Sequence, residues 1–326
     1  MPKISVVMPA YNAEKYIGAA IDSILSQSFT DFEFLILNDC STDSTEQIIK
    51  SYTDPRIVYL KNEKNMGVAA TLNRGLEAAH CEYIARMDAD DISMPERFAH
   101  QVAFLDAHPG IWVLGTHVQY FSTEGDGPLV CYMGSPAQLR IDLLFASALA
   151  HPSVMLRRQP ILDLGGYDSR FDGLEDYELW CRVAEKAELA VLPKTLLRYR
   201  IHPAQVTQQP SEKKRQAAHN LQMRLLTQLG LPTEGPVAEA FYNYRAKEKK
   251  TLPQAVSEIR FFEALLQANG KLGLYDHVLL KKYMHQLAKS NAITLCPKEQ
   301  RSLCKQTRLL FYPELLLSRL KQKLKR

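Results

Sequence analysis

Three carboxylates stand within four residues in the run Arg86-Met87-Asp88-Ala89-Asp90-Asp91. At that spacing their mutual repulsion is costly unless a cation shares it, and hard oxygen donors suit a divalent ion such as Mg2+ or Mn2+. Such an ion would keep coordination positions for diphosphate oxygens and take up charge as a nucleotide leaves. A solvated acidic turn accounts for the bare Asp-x-Asp pattern equally well. Position adds weight to the metal, because the apolar run Tyr83 to Met87 leads into the cluster and Pro95 opens a helix soon after.

A second acidic pair, Glu175-Asp176, starts an amphipathic run. A carboxylate there could take the proton of an acceptor hydroxyl as general base, and Trp180, one turn on, could offer its ring face to a sugar. Acids that merely suit a helix first turn, with Trp180 in the core, explain the same residues. Two polar runs, Pro9-Ala10-Tyr11-Asn12 and Asn38-Asp39-Cys40-Ser41-Thr42-Asp43, could hold a base and ribose between them. Asp39 would accept from a ring N–H, and backbone donors at the next helix start would approach phosphate. As turn and cap residues they need no ligand at all. In Tyr199-Arg200-Ile201-His202-Pro203, His202 could complete a metal shell and Arg198 or Arg200 could face phosphate, against the simpler account of a structural histidine.

Hydrophobic periodicity supplies the elements that would position these residues. Short apolar runs at Ile4 to Met8, Phe32 to Leu37, Ile57 to Leu60 and Tyr83 to Met87 alternate with amphipathic runs at Glu14 to Gln27, Asp43 to Tyr52 and Val68 to His80. That is the pattern of an α/β fold with a largely parallel sheet wrapped by helices, and Asp43 with Glu46 resembles a capping pair. Each polar run lies just beyond a strand, where open sheets of this kind bind ligands. A helix from Pro95 to about His108 follows, then a strand at Trp112 to Gly115 and a hairpin around Gly125-Asp126-Gly127. A strand at His151 to Leu156, a helix from Glu175 to Lys186, and two short strands at Ala190 to Leu192 and Thr195 to Tyr199 complete the region. From Ser211 only helices are expected, with Leu221, Leu225 and Leu229 at four-residue spacing and Gly230 as a C-terminal cap.

The chain has 326 residues, 46% hydrophobic and 23% charged, with a formal net charge of +4. These are ordinary globular values, and no apolar run approaches the roughly 20 residues of a membrane span. Met1-Pro2-Lys3 leads straight into a strand without signal-peptide features, so cytoplasmic residence is the expectation. The cysteines at 40, 81, 131, 181, 296 and 304 show no metal-ligand spacing and are expected as free thiols. No nucleic-acid partner is expected.

Taken in order, Ile4 to Asn12, Asn38 to Asp43, Asn65-Met66-Gly67 with Asn73-Arg74-Gly75, Asp88 to Asp91 and Glu175-Asp176 resemble the family 2 glycosyltransferases of the GT-A fold, over about residues 3 to 205. That resemblance implies a Rossmann-like mixed sheet that binds a nucleotide-diphospho-sugar, and inverting transfer with one base and no covalent nucleophile. It puts Pro9, Ala10, Tyr11, Asn12, Asp39, Asn65, Arg74, Arg86 and Asp88 at the nucleotide, with Asp39 facing the base. Asp90, with Asp88 and His202, would hold Mn2+ or Mg2+, and Asp176, beside Glu175, would be the base. It further implies a UDP-sugar donor and a glycan or polyprenyl-linked acceptor in capsule, exopolysaccharide or lipopolysaccharide synthesis. One departure stands out: where the family reads Asp-Asp-Gly-Ser this chain reads Asn38-Asp39-Cys40-Ser41.

The expected organisation is a catalytic domain over 1–208 and a helical region over 209–326. The latter ends at Pro313 to Arg326 in a basic amphipathic helix, suited either to an anionic membrane face or to packing on the protein. A dehydrogenase would need Gly-x-Gly-x-x-Gly after the first strand, a nucleotidyltransferase a glycine- and arginine-rich loop there, and an aspartyl phosphatase its acidic motif there; none is present. A catalytically silent sugar-binding or scaffold protein is the alternative from another class, and would be expected to lose the metal or base carboxylates.

Overall fold

The computed structural model describes residues 2–203, 205, 212–244, 250–293 and 303. The chain divides into two compact units, Met1–Ala217 and Ala218–Arg326.

The first unit is built on one curled sheet with helices against it. Its elements run β1 (Ile4–Ala10), α1 (Ile17–Leu25), β2 (Phe32–Asn38), α2 (Thr45–Ser51), β3 (Ile57–Lys61), α3 (Val68–Ala78) and β4 (Tyr83–Arg86). Then come β5 (Ile92–Ser93), α4 (Arg97–Ala107), β6 (Ile111–Ser122), β7 (Gly125–Val130) and α5 (Pro136–Asp142). The unit closes with β8 (Met155–Arg157), α6 (Arg158–Asp163), α7 (Glu175–Ala184) and β9 (Glu188–Arg200).

β1, β2 and β4 are largely apolar because helices cover both faces. Ile4, Val6, Met8, Phe34, Ile36, Ala85 and Phe98 are fully buried in one cluster, and α1 adds Ile17, Ala20, Ile21 and Ile24. Each large side chain of that kind contributes about 1.5–3 kcal/mol by leaving water. On the other face α3 presses so close that a Cβ on Gly75 would stand 2.5 Å from Val7 Cγ1 and 3.2 Å from Leu37 Cδ1. Only glycine fits there.

Strand order is β3-β2-β1-β4-β8-β6-β9-β5, with β7 paired to β6. The first four strands are mutually parallel. β8 runs antiparallel to both β4 and β6, while β9 runs parallel to β6. Two reversals restore the original direction, so β9 points the same way as β1, β2 and β4. Its carboxyl end, with Arg200 and His202 just beyond, therefore joins the edge where the other three strands deliver their polar loops.

Several local expectations are corrected. The segments 190–192 and 195–199 form one strand, β9, whose register against β6 shifts near Thr116 and His117 instead of breaking it in two. His151–Ser153 is a 3-10 turn and the strand begins only at Met155. In the hairpin Gly125 already pairs with Ser122, so the turn is Thr123-Glu124. Asp43 and Glu46 do not form a reciprocal cap: Asp43 accepts from Thr45 N and Glu14 N, and Glu46 is drawn to Lys50 and Lys61.

In the second unit, Leu221 and Leu225 on α8 (Glu212–Gln228) and Leu229 just past its end are buried, and Gly230 takes φ +63 as the chain leaves the helix. α10 (Leu252–Leu272) packs against α9 (Pro236–Tyr242) and α11 (His277–Ile293), opens with a Thr251–Gln254 capping box and closes on Gly273 at φ +64. Phe241 stacks on Phe261 at 4.9 Å between ring centroids. The segment 313–326, with its expected amphipathic helix, lies outside the described residues, as do Cys296 and Cys304. Cys40, Cys81, Cys131 and Cys181 are free thiols. Among the described residues no helix is long and apolar enough to cross a membrane.

Candidate active site

The loops after β1 and β2 are stitched to each other. Asn12 N donates to Ser41 Oγ at 3.0 Å and Thr42 N to Asn12 Oδ1 at 2.9 Å, while Asp39 N donates to Ala10 O at 2.8 Å. Tyr11, half exposed, and Asn12 lie at the surface of these loops. Asp39 is buried and organises a third loop: Oδ1 accepts from Asn62 Nδ2 at 2.7 Å and Met66 N at 2.8 Å, and Oδ2 from Gly67 N at 3.0 Å. A carboxylate offers about four acceptor positions, so one on Oδ2 is left for a ligand donor. Asn65 Oδ1 also accepts from Gly67 N. Arg74 is committed to Lys61 O and Asn62 Oδ1, and thus acts on Asp39 through Asn62.

Cys40 stands where the family pattern has glycine, and its φ is +62. A side chain there costs about 1–2 kcal/mol relative to an ordinary backbone region. Cys40→Gly is expected to stabilise the protein by about 1 kcal/mol, raising Tm by about 2–4 °C after allowance for the freer unfolded chain. A lower Tm in calorimetry would show that the left-handed turn is not strained.

Beyond β4, oxygens of Asp88, Asp90 and Asp91 all lie within 4.8 Å of one another. Arg86, buried, pairs with Asp88. Burial works against the Arg86 charge, but Asp88 outweighs it and holds the guanidinium above its ordinary pKa. Asp91 is 1% exposed; Oδ1 accepts from Arg200 N at 2.8 Å and Oδ2 has no partner among the described residues. Burial and then the Asp88 charge push both Asp90 and Asp91 above the usual carboxylate range. His202 Nε2 lies 2.9 Å from Asp90 Oδ2. Three crowded carboxylates with an orphaned oxygen, and an imidazole beside them, fit a hard divalent cation.

A buried strut fixes this end of β4. Arg97, fully enclosed, donates from Nη2 to Arg86 O at 2.8 Å and Val154 O at 3.1 Å, and from Nε to Gln101 Oε1 at 3.0 Å. Burial, then the nearby Arg86 charge, lower it to about 9.

At the start of α7, Ser147 Oγ donates to Asp176 Oδ2 at 3.3 Å. Burial raises the Asp176 carboxyl, while Arg86 and Ser147 pull the other way. Glu175 is buried beneath it: Oε2 accepts from Gly173 N at 2.6 Å, and Oε1 lies 3.7 Å from His151 Nδ1, whose Nε2 is 3.0 Å from Tyr167 Oη. His151 is held neutral by burial and then by the Arg86 charge. Trp180 is fully buried, its ring near-perpendicular to that of His151 at 5.9 Å between centroids. It belongs to the core, so the expectation of a ring face for sugar is withdrawn; a tryptophan on the inner stripe of α7 packs before it can stack on a ligand.

Glu175 is raised to about 7, first by burial and then by Asp176. Between its unfolded value of 4.5 and about 7 the folded chain keeps a proton that the unfolded chain has lost, so stability falls as pH rises through that window and stays lower above it. Glu175→Gln keeps an acceptor for Gly173 N and removes the charge. The variant is expected to melt higher than the unmodified protein at pH 8 and no higher at pH 4.5; an equal difference at both would discard the buried-acid account.

Sequence reading missed Asn62, Tyr16, His151, Tyr167 and Arg97. Polar residues in apolar contexts, such as His151 before an apolar strand, were the available signal, but their partners are distant in the chain.

A family model described as Glycosyl transferase family 2 matches residues 5–165. The putative glycosyltransferase EpsE of Bacillus subtilis (strain 168) is 37% identical over 195 residues, 57% of this chain and 68% of that one. The chain belongs to glycosyltransferase family 2. This glycosyltransferase is also 29% identical over 211 residues, 64% of its length and 80% of the other's, to an Escherichia coli enzyme, the UDP-Glc:alpha-D-GlcNAc-diphosphoundecaprenol beta-1,3-glucosyltransferase WfaP. Among solved structures, S. aureus TarS 1-349 in complex with UDP-GlcNAc superimposes with a TM-score of 0.59 at 20% identity, over 92% of this chain and 90% of that one. That likeness is one of fold: the mixed sheet is GT-A, with helices following it.

Proposed function

We propose that this glycosyltransferase moves a hexosyl or N-acetylhexosaminyl group from a UDP-sugar to a glycan or polyprenyl-linked acceptor, with inversion at the anomeric carbon. The observation that carries it is the convergence on one sheet edge of the stitched β1–β2 loops and the Asp88–Asp91 cluster with His202, with Asp176 close enough to feel the Arg86 charge. A binding pocket for the nucleoside, a cation site for its diphosphate and a base are what a single in-line displacement needs.

Pro9, Ala10, Tyr11 and Asn12 wall the nucleoside pocket, and the remaining acceptor position of Asp39 takes the N–H of the base. Asn65 and Arg74 hold the loop that frames Asp39. Asp90, Asp88 and His202 would hold Mn2+ or Mg2+, which when bound supplies positive charge to the diphosphate as negative charge develops there. Asp176 accepts the acceptor hydroxyl proton as that oxygen bonds to the anomeric carbon and the bond to the diphosphate breaks. Burial raises the Asp176 carboxyl, and the Tyr177 backbone N–H, the Arg86 charge and Ser147 oppose that rise, while Glu175 fixes the turn at Gly173 from which α7 starts. UDP in the name of WfaP and in the TarS complex supports the uridine donor, and the diphosphoundecaprenol in the name of WfaP supports a lipid-linked acceptor. A basic 313–326 segment on the inner face of the cytoplasmic membrane would bring the enzyme to such an acceptor. Incubation with a panel of UDP-sugars and polyprenyl-diphosphate glycans, with the product anomer read by NMR, tests the proposal: inversion is expected, and a retained configuration would overturn the single-displacement mechanism.

A further inference from the structure

We propose that Arg200 is a diphosphate-binding residue, its guanidinium held beside Asp90 and His202 with its terminal nitrogens left to form a fork on phosphate oxygens. The proposal rests on the donor reading above and adds a residue to it.

Two rings pack on the guanidinium: its Cζ lies 4.5 Å from the Tyr16 ring centroid and 4.3 Å from that of Phe121. Nε donates to Asp90 O at 2.6 Å and the backbone N to Asp91 Oδ1 at 2.8 Å, so the residue is held on the acidic cluster by both side chain and backbone. Its two terminal nitrogens have no partner among the described residues. Arg198, two residues earlier, also lies over Phe121 but is tied to Asp126. That contact separates the two arginines that the sequence leaves equivalent.

Charge points the same way. Arg86 already balances Asp88. A divalent cation would balance Asp90 and Asp91, leaving Arg200 without a counter-anion. The excess positive charge calls for an anionic ligand, and a guanidinium fork suits phosphate oxygens in a way a point charge does not. Tyr16 braces the arrangement, since its ring also packs on His202 at 5.0 Å. Little side-chain freedom remains for Arg200 to lose on binding.

Calorimetry on the full chain in Mn2+ tests this with two ligands, UDP and uridine, the second titrated to millimolar concentration. In Arg200→Ala, UDP affinity is expected to fall about 10- to 100-fold, as loss of charged hydrogen bonds implies. Uridine affinity should stay within about twofold, since the fork reaches only phosphate. Arg200→Lys, which keeps charge and stem but loses the fork, should fall between. Mn2+ affinity without nucleotide, read by EPR, should not change. Unchanged UDP affinity, an equal loss for uridine, or a matching loss of Mn2+ affinity would each overturn the proposal, the last by making Arg200 a brace for Asp90. Failure of the unmodified chain to bind either ligand would instead overturn the donor reading, and this role with it.

Discussion

Asp176→Asn is expected to leave UDP binding intact and to lower kcat by about 10²–10⁴-fold, the range that a positioned general base contributes. The substitution preserves shape and the acceptor for Ser147 Oγ while removing the only function the mechanism asks of this side chain, taking a proton. The environment makes the test sharp. Burial lifts the Asp176 carboxyl above the usual range, opposed by the Arg86 charge and the Ser147 hydrogen bond. A base works only when ionised, so kcat/KM of the unmodified enzyme should rise with pH along a limb displaced upward from ordinary carboxylates, and that limb should vanish from the residual activity of the variant. Turnover within about threefold of the unmodified enzyme, far short of that range, would remove Asp176 as base.

His202→Ala is the second large effect. His202 Nε2 touches Asp90 Oδ2, and its ring is held against Tyr16. Outer-shell partners of metal ligands typically contribute 10- to 100-fold in metal affinity, and a direct ligand no less. UDP affinity measured in Mn2+ should therefore fall at least about tenfold, while affinity for uridine, which carries no diphosphate for the metal, should match that of the unmodified chain. If both fell together, His202 would be a packing residue for the nucleotide pocket and the metal shell would end at the carboxylates.

The strands β1 to β4 and the helices between them were legible because each carries an unmixed period, apolar throughout or one-sided at 3.6, and polar runs stop them cleanly. The acidic cluster was legible for the same reason: Tyr83 to Met87 leaves no doubt where the sheet ends. Beyond Trp112 the pattern is that of long, irregular strands, and nothing local tells β9 to run through Pro193 or to lie parallel to β6. Yet this pairing brings Arg200 and His202 to Asp90. Residues whose role is set by one neighbour in the chain, such as Gly230, read correctly. Those whose role is set by distant partners did not: Trp180 is fully buried, its ring packed against that of His151, far away in the chain. Cys40 is intermediate, since the glycine missing from the family pattern marked the site but only φ +62 shows what glycine would have supplied.

The central claim is that the cluster after β4 and the pocket after β1 and β2 form one metal-dependent nucleotide site. Calorimetric titration of UDP into the unmodified protein and into Asp90→Asn, each with and without Mn2+, tests it most directly. Binding that requires Mn2+ and is lost in Asp90→Asn is the predicted result; equal binding with and without the metal, or by both proteins, would contradict it.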